Sequence, residues 1–342
     1  MLVRFVRVPQ QDTERVRREL DTKGQVLRGV RFLHKDDDVL IPVNCDVQGM
    51  EMVERDVEVV QRPRSLSEAL EGVLTDEQMA QLRTSFDVVG DIAVVEVPEG
   101  LEDMEATIGD ALLSVIGGVR VVCRKMGPTA GEFRVRPVRV IAGEQRTTTV
   151  YREHGCNYEL DLSRVYFSPR LATERARVAS LVRPGETVMG MFAGVGPFTI
   201  LTARVQPAVE RIWSVELNPE AVTYMKRNIK RNRVTGTVLA VQGDVREVVP
   251  ALGRADRVFM PLPKGAHAFL DVAMAAAADD AIIHFYHFTP EDVRFEEGAA
   301  LIQAAAEEAD MGGEVVFQRQ VRSFSPGICQ VVVDFRVTRN AP

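Results

Sequence analysis

The residues best suited to chemistry lie in the C-terminal half of the chain. Met191-Phe192-Ala193-Gly194-Val195-Gly196-Pro197-Phe198 follows one apolar stretch and opens another with helical spacing. Gly194 and Gly196 allow a tight turn and a close approach of backbone to a ligand. Glu216 ends the next apolar stretch, 22 residues beyond Gly194. An acidic side chain there can accept both hydroxyls of a ribose. Asp244 ends the third stretch, where a carboxylate can receive an adenine amino group. Pro197 follows the GxG where a dinucleotide fingerprint runs on to a third glycine. It also lacks the N–H that a pyrophosphate would use. A nucleoside carrying a sulfonium fits this turn better than one carrying phosphates.

The elements around these residues divide the 342-residue chain into three segments. Residues 1–63 read as a small α/β unit, with LVRFVRV and VLIPV as strands and TERVRRELDTKG as a helix ending at Gly24. QRPRS, with Pro63, reads as a linker. Residues 65–162 read as an α+β domain. It opens with a helical SLSEALEGVLTDEQMAQL, then a strand from Asp91 to Val97, and the helix EDMEATIGDALLSVIGG. Strands VRVVCRK and FRVRPVRVIAG follow, then a hairpin, TTTVYREHG–CNYELDLS. Residues 163–342 alternate strand and helix, the pattern of a doubly wound α/β Rossmann fold. After AIIHFYHF a helix start is expected, with Thr289 as N-cap and Pro290 in the first turn. Two closing strands, GEVVFQRQVRSF and ICQVVVDFRV, suggest an antiparallel pair at the sheet edge, as in class I methyltransferases.

Composition bounds the partners. No apolar run approaches the roughly 20 residues that span a bilayer. Cys45, Cys123, Cys156 and Cys329 are far apart with no CxxC pair, which fits buried thiols in a reducing cytoplasm. The net charge of −7 argues weakly against a nucleic-acid partner. Its distribution points the other way: residues 120–183 hold 13 Lys/Arg and 6 Asp/Glu, a local net of +7. No metal is expected. His284 and His287 stand three apart on a strand, on opposite faces, and His267 completes no ligand set with them.

SRVYFSPRLATERARVASLVRPGETVMGMFAGVGPFTI, WSVELNPEAVTYMKRNIKRN and DRVFMPLPKGAHAFLD resemble the archaeal and eukaryotic tRNA (guanine-N1)-methyltransferases that act 3′ to the anticodon. The likeness reaches upstream to GEFRVRPVRVIAGE and down to SFSPGICQVVVDF, about residues 119–338. It implies S-adenosylmethionine as cofactor and tRNA as partner. It also implies a class I Rossmann-fold domain that performs the chemistry, an anticodon-arm domain before it, and a small N-terminal domain at the tRNA outer corner. A monomer is expected.

The chemistry implied is demanding. Guanine N1 carries a proton and is a poor nucleophile. Its methylation calls for a base near N1 and a cation or donor near O6. By the resemblance Glu174 is the base, Arg134 steadies O6 and Tyr166 lies near the methyl and target base. Arg175, Phe192, Glu216, Leu217, Asp244 and Val245 are implied cofactor contacts. Without the resemblance, Glu174 could cap a helix or pair with Arg170 or Arg177, Tyr166 could be core, and Arg134 could lie on a solvated strand face. Two positions depart from the family pattern. Gly190 stands where an acidic residue is usual, and Pro261 replaces the asparagine of Asn-Leu-Pro. Pro261 has no side-chain amide, so only its backbone carbonyl could serve cofactor or substrate. Aminocarboxypropyl or methyl transfer to a modified guanine by a wyosine-pathway relative, and RNA binding without catalysis, are the alternatives.

Overall fold

The computed structural model describes residues 1–27, 29–57, 63–129 and 131–339. It resolves into two compact units, 1–74 and 75–342. Gln61 and Arg62 of the expected linker lie outside the described residues.

In the first unit, β1 (Leu2–Pro9) is followed by α1 (Thr13–Thr22), β2 (Leu33–Lys35), β3 (Asp38–Val43), β4 (Met52–Asp56) and α2 (Leu66–Leu70). The strands form one antiparallel sheet in the order β2-β3-β1-β4. Alternation in β1 sends Val6 and Val8 to the face that packs on Val16 and Leu20 of α1. Val3 and Phe5 line a separate cluster on the other face.

The second unit opens with α3 (Asp76–Gln81), β5 (Phe86–Val89), β6 (Ile92–Val95), α4 (Glu105–Val115), β7 (Val121–Lys125) and β8 (Val138–Gly143). The strands pair in the order β5-β6-β7-β8. The continuous helix expected over SLSEALEGVLTDEQMAQL is two short ones, interrupted at Gly72 and restarted by a capping box at Thr75 and Gln78. The strand expected over Asp91–Val97 is Ile92–Val95, entered from β5 by a turn at Gly90. FRVRPVRVIAG is a strand only from Val138. Arg134 has φ of 53°, which no strand tolerates, and Pro137 cannot donate to a ladder.

The hairpin β9 (Thr148–Glu153) and β10 (Cys156–Asp161) follows as expected. Then come α5 (Ala172–Leu181), β11 (Thr187–Gly190), α6 (Pro197–Val205), β12 (Arg211–Glu216), α7 (Pro219–Arg231), β13 (Val238–Gln242), α8 (Val245–Leu252), β14 (Ala255–Met260), α9 (Leu270–Ala276), β15 (Ala277–Pro290), α10 (Glu296–Glu308), β16 (Met311–Ser325) and β17 (Ile328–Arg339). Seven strands form a sheet in the order β13-β12-β11-β14-β15-β17-β16. The first five are parallel, and β17 runs antiparallel to both of its neighbours. This is the class I Rossmann-type order, with two closing strands at the edge.

The expected helix start at Thr289 is not there. Thr289 pairs with Cys329 and Pro290 with Ile328, so both end β15, and α10 starts at Glu296. Thr289 instead turns its hydroxyl to Glu297 at 3.0 Å.

Alternation along the parallel strands builds a core on each face. Val188, Ile212, Phe259 and Tyr286 point one way, Met189, Trp213, Val258 and Phe285 the other. The first of these cores continues into Tyr158 and Leu160 of the hairpin and Ile92, Val121 and Cys123 of the four-stranded sheet. The segments on either side of residue 162 therefore share one core. Among the described residues, no helix is long and apolar enough to cross a membrane.

Candidate active site

Five parallel strands put their carboxyl ends on one edge, where open α/β sheets bind ligands. The turn after β11 is anchored there by two backbone bonds, Met191 N–H to the Phe259 carbonyl (3.0 Å) and Ala193 N–H to the Val215 carbonyl (2.9 Å). Gly194 has φ of 57°, and a Cβ built on it would meet nothing closer than the Tyr166 carbonyl at 3.8 Å. That glycine therefore faces open space with Tyr166 across it. Gly196 starts α6 at φ of 87°, and a Cβ there would press on Ile200 at 2.9 Å and Met225 at 3.1 Å. Packing and backbone together require glycine.

Glu216 ends β12 beside this turn. The Gly194 N–H donates to its Oε2 (2.7 Å) and the Asn218 N–H to its Oε1 (2.8 Å). Burial raises its carboxyl above the ordinary value, opposed by those N–H donors. Asp244 ends the β13 segment and caps α8, accepting the Arg246 N–H at 2.8 Å. Leu217 is half-buried and Val245 buried. Phe192 is half-buried at φ of 55°, edge-on to Phe269 with centroids 5.0 Å apart. Arg246 covers the same Phe269 ring at 3.9 Å and donates to the Ala268 carbonyl. An open turn, an oriented carboxylate and a half-exposed aromatic fit a nucleoside.

The fourth strand end carries the half-buried Pro261. Its loop is tied to β15 by the Phe288 N–H on the Pro263 carbonyl (3.2 Å), and to the four-stranded-sheet region by Arg134. The Arg134 Nη2 donates to the Lys264 carbonyl at 2.7 Å. Burial lowers its guanidinium, while the nearby Tyr166 phenol acts in the opposite sense. Arg134 and Tyr166 thus share one neighbourhood beside the Pro261 loop. Tyr166 is 42% exposed, so it is not core.

Two expected site residues are enclosed. Arg175 is 1% exposed and grips Glu153 with Nε (2.6 Å) and Nη2 (2.5 Å). It also donates to the Ser168 carbonyl and lies over Phe167. The guanidinium therefore steadies the Tyr166–Ser168 segment, and among the described residues no hydrogen bond joins it to Gly194 or Glu216. Glu174 is 2% exposed. Arg177 clasps it through Nε (3.0 Å) and Nη2 (2.6 Å), and the Tyr286 hydroxyl donates to Oε1 at 2.8 Å. The ion pair with Arg177 foreseen from sequence is formed; the one with Arg170 is not, since Arg170 pairs with Asp87. No hydrogen bond or ion pair joins Glu174 to Arg134 or Tyr166 among the described residues.

Asn218-Pro219 starts α7 as the sequence suggests, with Asn218 as cap; sequence reasoning missed that Asn218 also ties the site to the segment before Tyr166 by donating to the Arg164 carbonyl (2.9 Å). His284 faces Asp334, and the buried His287 lies 3.4 Å from Glu297.

Three family models match consecutive stretches: the tRNA methyltransferase 5 N-terminal domain at residues 6–51, the TYW2 N-terminal domain at 66–147 and the TRM5/TYW2 methyltransferase domain at 149–316. The tRNA (guanine(37)-N(1))-methyltransferase Trm5b of Pyrococcus abyssi is 39% identical over 97% of this chain and 98% of its own. The tRNA(Phe) (4-demethylwyosine(37)-C(7)) aminocarboxypropyltransferase of Pyrococcus horikoshii is 30% identical over 82% of this chain and 98% of its own. Among solved structures, the complex of aTrm5 and tRNALeu is 29% identical, with a TM-score of 0.73 over 98% of this chain and 99% of that one. Methanocaldococcus jannaschii TYW2 in complex with AdoMet is 25% identical, with a TM-score of 0.59 over 75% of this chain and 100% of that one. Fold, strand-end site and end-to-end similarity agree: the chain belongs to the TRM5/TYW2 methyltransferase family.

Proposed function

We propose that this enzyme methylates N1 of guanine 37 in tRNA, with S-adenosylmethionine as donor. The observation that carries this reading is the match to Trm5b over 97% of this chain and 98% of that protein. The aminocarboxypropyltransferase is also matched almost end to end, yet leaves about a fifth of this chain unmatched. The Trm5-type unit at 6–51 favours methyl transfer for the same reason.

The nucleoside half of the cofactor belongs at the Gly194–Gly196 turn, with Glu216 accepting from ribose, Asp244 from adenine, and Phe192, Leu217 and Val245 as apolar walls. When bound, S-adenosylmethionine supplies an electrophilic methyl on its sulfonium. Arg134, beside Tyr166 and the Pro261 loop, is placed to steady the charge that develops on guanine O6. Glu174 takes the N1 proton once guanine replaces one of the donors that now hold its carboxylate. Arg175 acts indirectly, by fixing the segment that presents Tyr166. A loop nucleotide suits this chemistry, because flipping it costs little pairing energy.

Residues 1–63, 65–162 and 163–342 take the outer corner, the anticodon arm and the chemistry respectively. Many arginines of the basic centre are held internally, among them Arg124, Arg139, Arg146, Arg175 and Arg177. An open cleft of about 1120 Å³ is lined by Arg120 and Arg152, and by Arg146 and Arg231 paired with its own Asp91 and Glu159, so RNA phosphates there would compete with those carboxylates. The free cysteines fit a reducing compartment such as the cytoplasm.

The test is to incubate protein, cofactor and unmodified tRNA, then weigh the nucleoside at position 37. Methyl transfer adds about 14 mass units; no gain on unmodified tRNA, together with a gain of about 101 on tRNA that carries 4-demethylwyosine, overturns the reading.

A further inference from the structure

Glu174 is the end of a buried chain of charges. The Arg177 that clasps it also donates to Asp334, from Nη1 to Oδ2 at 2.7 Å and from Nη2 to Oδ1 at 3.3 Å. Asp334 Oδ1 accepts from His284 Nδ1 at 2.7 Å. The Arg257 Nη1 faces His284 Nε2 at 3.3 Å. Arg257 is neutralised in turn by Glu186.

Two carboxylates, Glu174 and Asp334, share the Arg177 guanidinium. The groups facing Glu174 are Arg177 on α5, Tyr286 on β15, Asp334 on β17 through Arg177, and Arg319 on β16 at 3.8 Å. Burial opposes the charge on Asp334, yet His284 and Arg177 hold its carboxyl down at about 2. Asp334 is therefore a permanent competitor for Arg177. Burial, and the neighbouring Glu174, push the Tyr286 phenol well above its ordinary value, so its hydroxyl stays a donor.

We propose that Arg177, Asp334 and Tyr286 are positioning residues that set the proton affinity of Glu174. Asp334 raises it, by drawing off half of the Arg177 fork and by adding negative charge nearby. Tyr286 lowers it, by donating to the charged form. This rests on Glu174 being the base.

The two influences have opposite signs, and damage to packing does not. The test is the pH profile of single-turnover methyl transfer at saturating cofactor and tRNA. In Tyr286→Phe the acid limb moves up, and in Asp334→Asn it moves down, each by roughly one pH unit. Tyr286→Phe removes one oxygen and keeps the ring, so it is informative even if Asp334→Asn does not fold. Limbs that stay in place while the rate drops by a constant factor, or that move in the same direction, overturn the proposal. Glu174→Gln is the separate control. Loss of the limb supports Glu174 as base, whereas a wild-type rate and limb remove the base reading on which the proposal stands.

Discussion

The Gly194 N–H donates to Glu216 Oε2 at 2.7 Å, so the end of β12 is oriented by the turn that follows β11. One carboxylate oxygen is held by this bond and the other by the Asn218 N–H. The remaining lone pairs are free for a ribose. Burial lifts the Glu216 carboxyl, so it neutralises at a higher pH than a free glutamate. Hydroxyls donate to the charged form. Cofactor affinity should therefore be full above the raised value and fall as pH drops through it. Calorimetry should show affinity weakening by about tenfold on the acid side, and Glu216→Gln should be weak and flat with pH. A wild-type constant that does not change with pH would exclude the ribose role.

Gly190 has no room for a side chain. A Cβ on Gly190 would lie 2.4 Å from Thr199 Cγ2 and 3.3 Å from the Trp213 carbonyl. Thr199 is itself buried, with its hydroxyl on the Gly196 carbonyl at 3.2 Å. Gly190→Ala should cost about 1–3 kcal/mol in urea unfolding, and Thr199→Ser in the same chain should restore most of it. Additive losses would show that Thr199 is not the obstacle.

Arg175 and Glu153 form a pair whose side chains are 1% and 4% exposed. Arg175→Met strands a buried carboxylate and should cost about 3–5 kcal/mol. A direct cofactor contact would instead weaken cofactor binding with stability kept. Melting curves and calorimetry on the same variant separate the two outcomes.

Arg134 reaches from a turn before β8 to the loop after β14. Arg134→Ala should lower the single-turnover rate by about 10²-fold while the cofactor constant stays put. Lost cofactor affinity at an unchanged rate would place Arg134 with the cofactor instead.

Much of this was legible in the sequence because it is local. Gly194, Gly196, Glu216 and Asp244 sit at the ends of apolar stretches, and strand ends on a parallel sheet converge on one edge. Arg134 was misread as part of a strand because FRVRPVRV alternates, although Pro137 and a left-handed turn break the ladder. Thr289-Pro290 carries a helix-start signal, but pairing with Cys329 and Ile328 outweighs a local cap. The grip of Arg177 on Asp334 joins residues 157 positions apart, and Asp334 looks like any polar residue in an alternating strand. Nothing short of the folded sheet brings it under Glu174.

The chemistry itself is tested most directly by labelled-methyl acceptance on two tRNA transcripts that differ only at position 37. The guanosine transcript should take up about one methyl per tRNA and the adenosine transcript none, because adenine carries an amino donor where Arg134 needs the O6 acceptor. Equal uptake by both, or none by the guanosine transcript, would contradict it.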